Sequence, residues 1–344
     1  MRLDRKQLVG RVAAGTGAAA LAGPDEALAA LGENRRKAGF PAHPRWKFIF
    51  VSHLTTSPLF VPLQYGIQDA CALVGCTYRW VGSTRADTGK VVEAVRAAVR
   101  ARVDGIALPG LDAKALAGPI ALAVRAGIPV VTYHAEAARA GGGLAFVGPD
   151  SYAAGIRIGE QIARLVRRGG VTLLIAERGV NPVEQRLQGA LAGIRRSGAR
   201  VRAGVLLTTR DPYEAAARID RHVVSRKGLR GLFALELEAS EGVGRAVVRR
   251  KLRARGMRAG GYGVLPATLE LIKDGKLDFT LDEQPYLQGF VSAIQLFLAR
   301  ISGGLLAPSD VDVRLVFVTK VNLAAYLAKT RYEGSSSRQR YPIS

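Results

Sequence analysis

About ten short apolar runs recur along the chain, most of them separated by stretches of about 12–18 residues with helical periodicity, and this alternation limits the fold more than any other feature. The runs fall at 46–52, 77–81, 103–108 and 128–133, then at 171–176, 201–207, 229–235, 258–264, 277–281 and 313–318. Near-continuous apolar strands divided by amphipathic helices, such as 88–102 and 152–168, predict βαβ units whose parallel sheets are covered on both faces. There are too many strands for one sheet of this kind, and a seam lies at Phe146-Val147-Gly148-Pro149-Asp150, after the glycine turn Gly141–Gly143. The expected fold is therefore α/β, with two doubly wound parallel-sheet lobes. In such sheets ligands sit beyond the carboxyl ends of the strands, so function is sought in the loops there.

Composition agrees with a folded chain of two domains. Of 344 residues, 48% are hydrophobic and 23% charged, which excludes disordered and collagen-like classes. Two cysteines exclude a disulfide framework and a four-thiolate zinc site, and Cys71 and Cys76 are expected as two buried thiols rather than a disulfide. The four histidines form no spaced ligand pair, so no metal is expected. The formal charge is +22, of which residues 1–30 account for only one unit, four basic groups against three acidic. The densest basic run, 245–258, has seven basic residues, no acid and no interleaved aromatic, which argues against a base-stacking platform and for a solvated face.

Residues 1–11 are basic and polar, 12–21 are small and mildly apolar, and Ala27-Leu28-Ala29 provides an A-x-A-like cleavage site. That is the layout of an export signal over 1–30. Arg5-Lys6-Gln7-Leu8-Val9 resembles the twin-arginine form, with Lys6 in place of the second arginine. The apolar stretch is too short to span a bilayer, and no cysteine follows it to carry a lipid. The protein is thus expected in the periplasm or at the outer face of the cell membrane, not as a lipoprotein.

Several strand-end loops then match one family. Ser57-Pro58-Leu59-Phe60, leading into a helix with Gly66, is similar to the N-P-F-F…G helix start of periplasmic sugar-binding proteins. Val103-Asp104-Gly105-Ile106, Ala126-Gly127-Ile128-Pro129-Val130 and Arg186-x-x-Gly189 resemble further segments of it. The run Lys276 to Gly289, containing Asp282-Glu283-Gln284-Pro285-Tyr286, resembles its return crossover. Five motifs in order, spread over 45–327, are specific where each alone is weak. The chain resembles a type I periplasmic solute-binding protein of the ribose type, the substrate-binding component of an ABC transporter. The resemblance implies a three-crossover hinge between an N-terminal lobe (45–147 plus 285–310) and a C-terminal lobe (148–284 plus 311–330). Ahead of them lies a linker, 31–44, and behind them a flexible tail, 331–344. The crossovers would lie near 147–150, 282–285 and 308–311.

The resemblance also implies where ligand is held. That family grips a sugar between aromatic faces and a belt of polar groups. Phe60 matches one ring position beside Leu59, and Tyr213 and Tyr262 match two more; core packing is the competing reading for each. In the polar belt only Arg186 is retained. Ser57, His134, Glu236 and Glu283 replace residues usual in the family, and Gly263 replaces an Asp. The changed donors and acceptors predict a ligand other than ribose itself, a sugar or polyol, or one bearing an amine. Glu283 has a second reading as a brace of the crossover, and His134 as a partner of a neighbour such as Glu136.

No cofactor is expected, and none of the hydrolase, zinc-protease or phosphate-loop motifs occurs, so the chain is read as a binding protein rather than an enzyme. The expected partners are a small-molecule ligand and a transporter permease, with the protein itself a monomer. A receptor domain for chemotaxis or signalling is the alternative. A DNA-binding regulator of the same ligand-binding fold is weaker, because the roughly 45 residues before Trp46 read as signal and linker rather than as a helix-turn-helix, and no nucleic-acid partner is expected.

Overall fold

The computed structural model describes residues 40–136 and 145–328. The expected export signal, the linker before residue 40, the glycine turn Gly141–Gly143 and the tail 331–344 lie outside the described residues.

The first sheet has six strands in the order β2-β1-β3-β4-β5-β11, all parallel. They are β1 (Lys47–Ser52), β2 (Thr77–Gly82), β3 (Gly105–Pro109), β4 (Val130–Tyr133), β5 (Ala145–Gly148) and the late β11 (Val311–Asp312). Three helices connect its first four strands: α1 (Val61–Val74), α2 (Thr88–Arg100) and α3 (Ala113–Arg125). Asp87 and Asp112 accept the Lys90 and Ala115 amides at 3.1 and 2.9 Å, satisfying donors that the starts of α2 and α3 leave open. α1 packs on one face of the sheet with the later α9 (Pro285–Ile301), burying Phe48, Phe50, Leu63, Ile67, Leu296 and Phe297. α2 and α3 cover the other face over Ile49, Val51, Ile106 and Leu108. The sheet is therefore doubly wound, as its apolar strands require.

The second sheet has β7 (Arg200–Leu207), β6 (Arg168–Ile175), β8 (Leu229–Ala234) and β9 (Arg258–Gly260) in that order. A parallel bridge between Gly260 and Phe279 carries it on to β10 (Thr280–Asp282), which pairs antiparallel with β12 (Val316–Val318). Its helices are α4 (Ser151–Val166), α5 (Asn181–Arg196), α6 (Pro212–Ser225), α7 (Leu237–Arg249), α8 (Pro266–Lys273) and the short α10 (Leu323–Leu327). The chain passes between the sheets after β5, after β10 and after β11.

Where one strand was expected over 313–318, only Val316–Val318 (β12) is strand, and β11 ends just ahead of that run at Asp312. β11 pairs with β5 in the first sheet, and β12 pairs with β10 in the second. Between them Arg314 takes a left-handed φ of 55°, so the strand direction breaks there. The third connection follows Asp312. Cys71 and Cys76 are both buried and free, as expected.

Candidate functional site

The carboxyl ends of both sheets border one cavity of about 490 Å³, within the ~300–1,000 Å³ usual for small-molecule sites. Eight of the twelve described strands deliver a side chain to it just beyond their last residue: His53 after β1, Leu111 after β3 and His134 after β4. From the second sheet come Glu177 after β6, Arg210 after β7, Glu236 after β8, Tyr262 after β9 and Glu283 after β10.

The first-sheet wall is aromatic. The His53 and His134 rings stack with centroids 5.8 Å apart, and Phe60 meets both edge-on, at 5.5 Å from His53 and 5.3 Å from His134. Ser57 sets Phe60 in place by accepting the Leu59 amide at the start of the single turn Pro58–Phe60. His134 has φ 63°, a left-handed conformation that few residues other than glycine take. Burial holds His53 well below the usual histidine range, at about 3, helped by His134 and the Arg210 guanidinium, so it is neutral at physiological pH.

Opposite stands a buried ionic cluster. Glu283, only 6% exposed, accepts a hydrogen bond from the Tyr262 hydroxyl and lies 3.3 Å from His134 Nδ1 and 3.5 Å from Arg186. Burial alone pushes its carboxyl up; the hydrogen bond and charge of His134, the Arg186 guanidinium and the Tyr262 hydroxyl overcome that and hold it at about 2. Arg186 is fixed on α5 by donating to the Leu235 carbonyl at 2.5 Å, and its guanidinium lies 3.9 Å from the Tyr262 ring centroid. Glu236 behaves differently. Burial raises its carboxyl to about 7, against a lowering by the Ala176 amide that donates to it, and Glu238 adds to the rise. Two titratable acids in one cavity thus have opposite shifts. Among the described residues, His53 Nδ1 and Arg186 Nε are two of the buried side-chain atoms without a hydrogen-bond partner, and both border this cavity.

Ser57, Leu59, Phe60, His134, Arg186, Glu236, Tyr262 and Glu283, all expected from the sequence, border this cavity together. Tyr213 does not. It stands in the first turn of α6, 66% exposed, with the Arg245 guanidinium 4.0 Å from its ring centroid, on a different surface. The Asp211 carboxylate accepts the Tyr213 and Glu214 amides, fixing that residue on the helix rather than in the loop ahead of it. His134 contacts Glu283, not Glu136. Sequence reasoning missed His53, Asp87, Glu177 and Arg210. Position at a strand end would have found His53 and Glu177, but neither occurs in a recognisable motif. Asp87, Glu177, Glu236, Glu238 and Glu283 border the cavity against two arginines, so it is acidic inside a basic protein.

A family model described as a periplasmic binding protein domain matches residues 48–303. The xylose/arabinose-binding protein XylF of Sulfolobus acidocaldarius is 37% identical over 316 residues, covering 86% of this chain and 77% of that one. A sugar-binding protein of a sugar ABC transporter from Bacillus halodurans superposes with a TM-score of 0.76 at 22% identity, covering 81% of this chain and 99% of that chain. An ABC transporter solute-binding protein from Burkholderia graminis, in complex with D-arabinose, gives 0.75 at 21% identity, with 83% and 99% covered. At those identities the solved structures show the fold alone.

Proposed function

The chain belongs to the periplasmic binding protein family, and on that premise we propose that it is the exported sugar-binding component of an ABC transporter, delivering ligand to a membrane permease. The observation that carries this reading is the pairing of walls across the cavity. An aromatic wall of Phe60, His53 and His134 suits the C–H-rich face of a sugar ring. Across it, Arg186, Glu236 and the Glu283 cluster supply donors and acceptors for hydroxyls at the ring edge. The relative with 37% identity is named for xylose and arabinose, which puts pentoses first among the candidates. No described helix is long and apolar enough to cross a membrane, consistent with a receptor that works beside a separate permease.

The acidic excess favours a second ligand class, sugars bearing an amine. Calorimetric titration with pentoses, hexoses, polyols and amino sugars separates the two. Saturable binding of a neutral sugar, abolished in Arg186→Ala while the thermal transition remains cooperative, is the expected result. Binding of none of these classes, or an unchanged affinity in the variant, overturns the reading.

A further inference from the structure

At the end of the second sheet opposite the cavity, three of the four strands begin on an arginine and β8 carries one at its second residue. Arg168 opens β6 directly across from Arg200, which opens β7. On the other side β8 joins β6 at Gly170 and Leu229; its Arg230 lies over Gly169, where an added Cβ would meet Arg230 Cγ at 2.6 Å. β9 opens at Arg258 across from Gly231. Neighbouring strands lie about 4.8 Å apart, so Arg168, Arg200 and Arg230 crowd one edge, with Arg258 set back about 10 Å along the strands. The helices that return to this edge end in further cations: Arg195 and Arg196 on α5, Arg226 and Lys227 after α6, Arg250 and Lys251 after α7.

Cations at helix carboxyl ends are favoured by the helix dipole, which explains some of this placement. Local acids neutralise part of it: Asp220 pairs with Arg249 and Arg250, and Asp278 with Arg253 and Arg258. The exposed Arg167, Arg168, Arg200 and Arg230 form no ion pair among the described residues, nor do Arg195, Arg196, Arg226 and Lys227. A row of unneutralised guanidinium groups fits a flat array of phosphates.

We propose that this pole docks the second lobe on a bilayer surface of anionic phospholipid headgroups, with the ligand cavity at the far ends of the same strands. The edge is lined by strand starts and helix ends rather than by a projecting helix that could enter a duplex groove. No aromatic occurs at 164–170, 195–202, 226–230 or 249–258, so there is no platform for stacking bases. Each Lys or Arg at an anionic leaflet strengthens attachment by roughly fivefold at most, and several act together at one edge.

The test is co-sedimentation of the full chain with phosphatidylcholine vesicles containing about one-third phosphatidylglycerol, and with pure phosphatidylcholine. Binding to the mixed vesicles only, weakening as salt rises, is expected. The triple variant Arg168→Glu, Arg200→Glu and Arg230→Glu should lose at least about tenfold in partitioning. A control, Arg96→Glu, Arg100→Glu and Arg125→Glu, makes the same charge change on exposed first-lobe residues and should stay within about twofold of the unaltered chain. Circular dichroism melting shows whether each variant is folded, and should the triple variant fail to fold, the Gln series at the same three positions replaces it. Equal loss in both triple variants overturns the pole in favour of net charge. Binding to duplex DNA but not to the mixed vesicles overturns the membrane surface.

Discussion

The two acids of the cavity make opposite contributions to stability with pH. Glu236 has an ordinary carboxyl value of 4.5 when exposed and about 7 in the fold. Between those values the folded chain holds a proton that the unfolded chain has released, so stability falls as pH rises through that window. Glu236→Gln removes this slope: its melting temperature should match the parent's near about pH 4 and exceed it by a growing margin towards about pH 8. Glu283, held at about 2, contributes stability that is present above 4.5 and is lost as pH falls through about 2. Glu283→Ala leaves Arg186 buried without its carboxylate and should cost about 3–5 kcal/mol in denaturant titration at neutral pH. A loss below about 1 kcal/mol would mean that the Tyr262 ring and the Leu235 carbonyl suffice to hold the guanidinium. The replacement residues at Glu236 and Glu283 were readable in the sequence because they stand at strand ends in motif order. Their opposed shifts were not, since each depends on how many donors converge on one oxygen.

At the scale of elements, α4 and α5 touch through glycines. A Cβ at Gly155 would lie 2.2 Å from the Arg186 carbonyl oxygen, and one at Gly189 would lie 2.2 Å from that of Tyr152. This gives the Arg186-x-x-Gly189 motif its physical content: on one helix turn the arginine serves the cavity while the glycine lets the neighbouring backbone approach. Gly189→Ala should therefore push α5 outward, cost about 1–3 kcal/mol, and weaken ligand binding although residue 189 does not border the cavity. Unchanged affinity with lowered stability would show that Arg186 is positioned from its far end, by Leu235. The same packing joins α1 and α9, where Gly66 and Gly289 abut the backbones of Tyr286 and Leu63. Element type and order were legible from apolar periodicity. The shortening of the 313–318 run to β12, with β11 just ahead of it in the other sheet, was not, because an apolar run carries no mark of which sheet will supply its hydrogen bonds.

For the whole molecule, three connections join two sheets whose strand ends share one cavity, and a ligand touching both walls favours whatever arrangement brings them together. Small-angle scattering should show a smaller radius of gyration on addition of a bound sugar. At a ligand concentration about a hundredfold above its Kd, binding should add about 2.7 kcal/mol to unfolding stability, read as a raised melting temperature. Binding with an unchanged radius would argue against hinge closure as the signal to a permease. The charge has also gained a location. A total of +22 says nothing of where the cations stand; the register of β6, β7 and β8 collects them at one edge and leaves the cavity acidic.

By itself the sequence pointed to two doubly wound sheets and to eight of the residues that border the cavity, because apolar period and loop motifs are local properties of a chain. Tertiary structure alone decided that Tyr213 faces a different surface, that His53 stacks on His134, and that Glu283 is the hub of Arg186, His134 and Tyr262. Those outcomes depend on distances between segments up to about 150 residues apart, which no local pattern encodes.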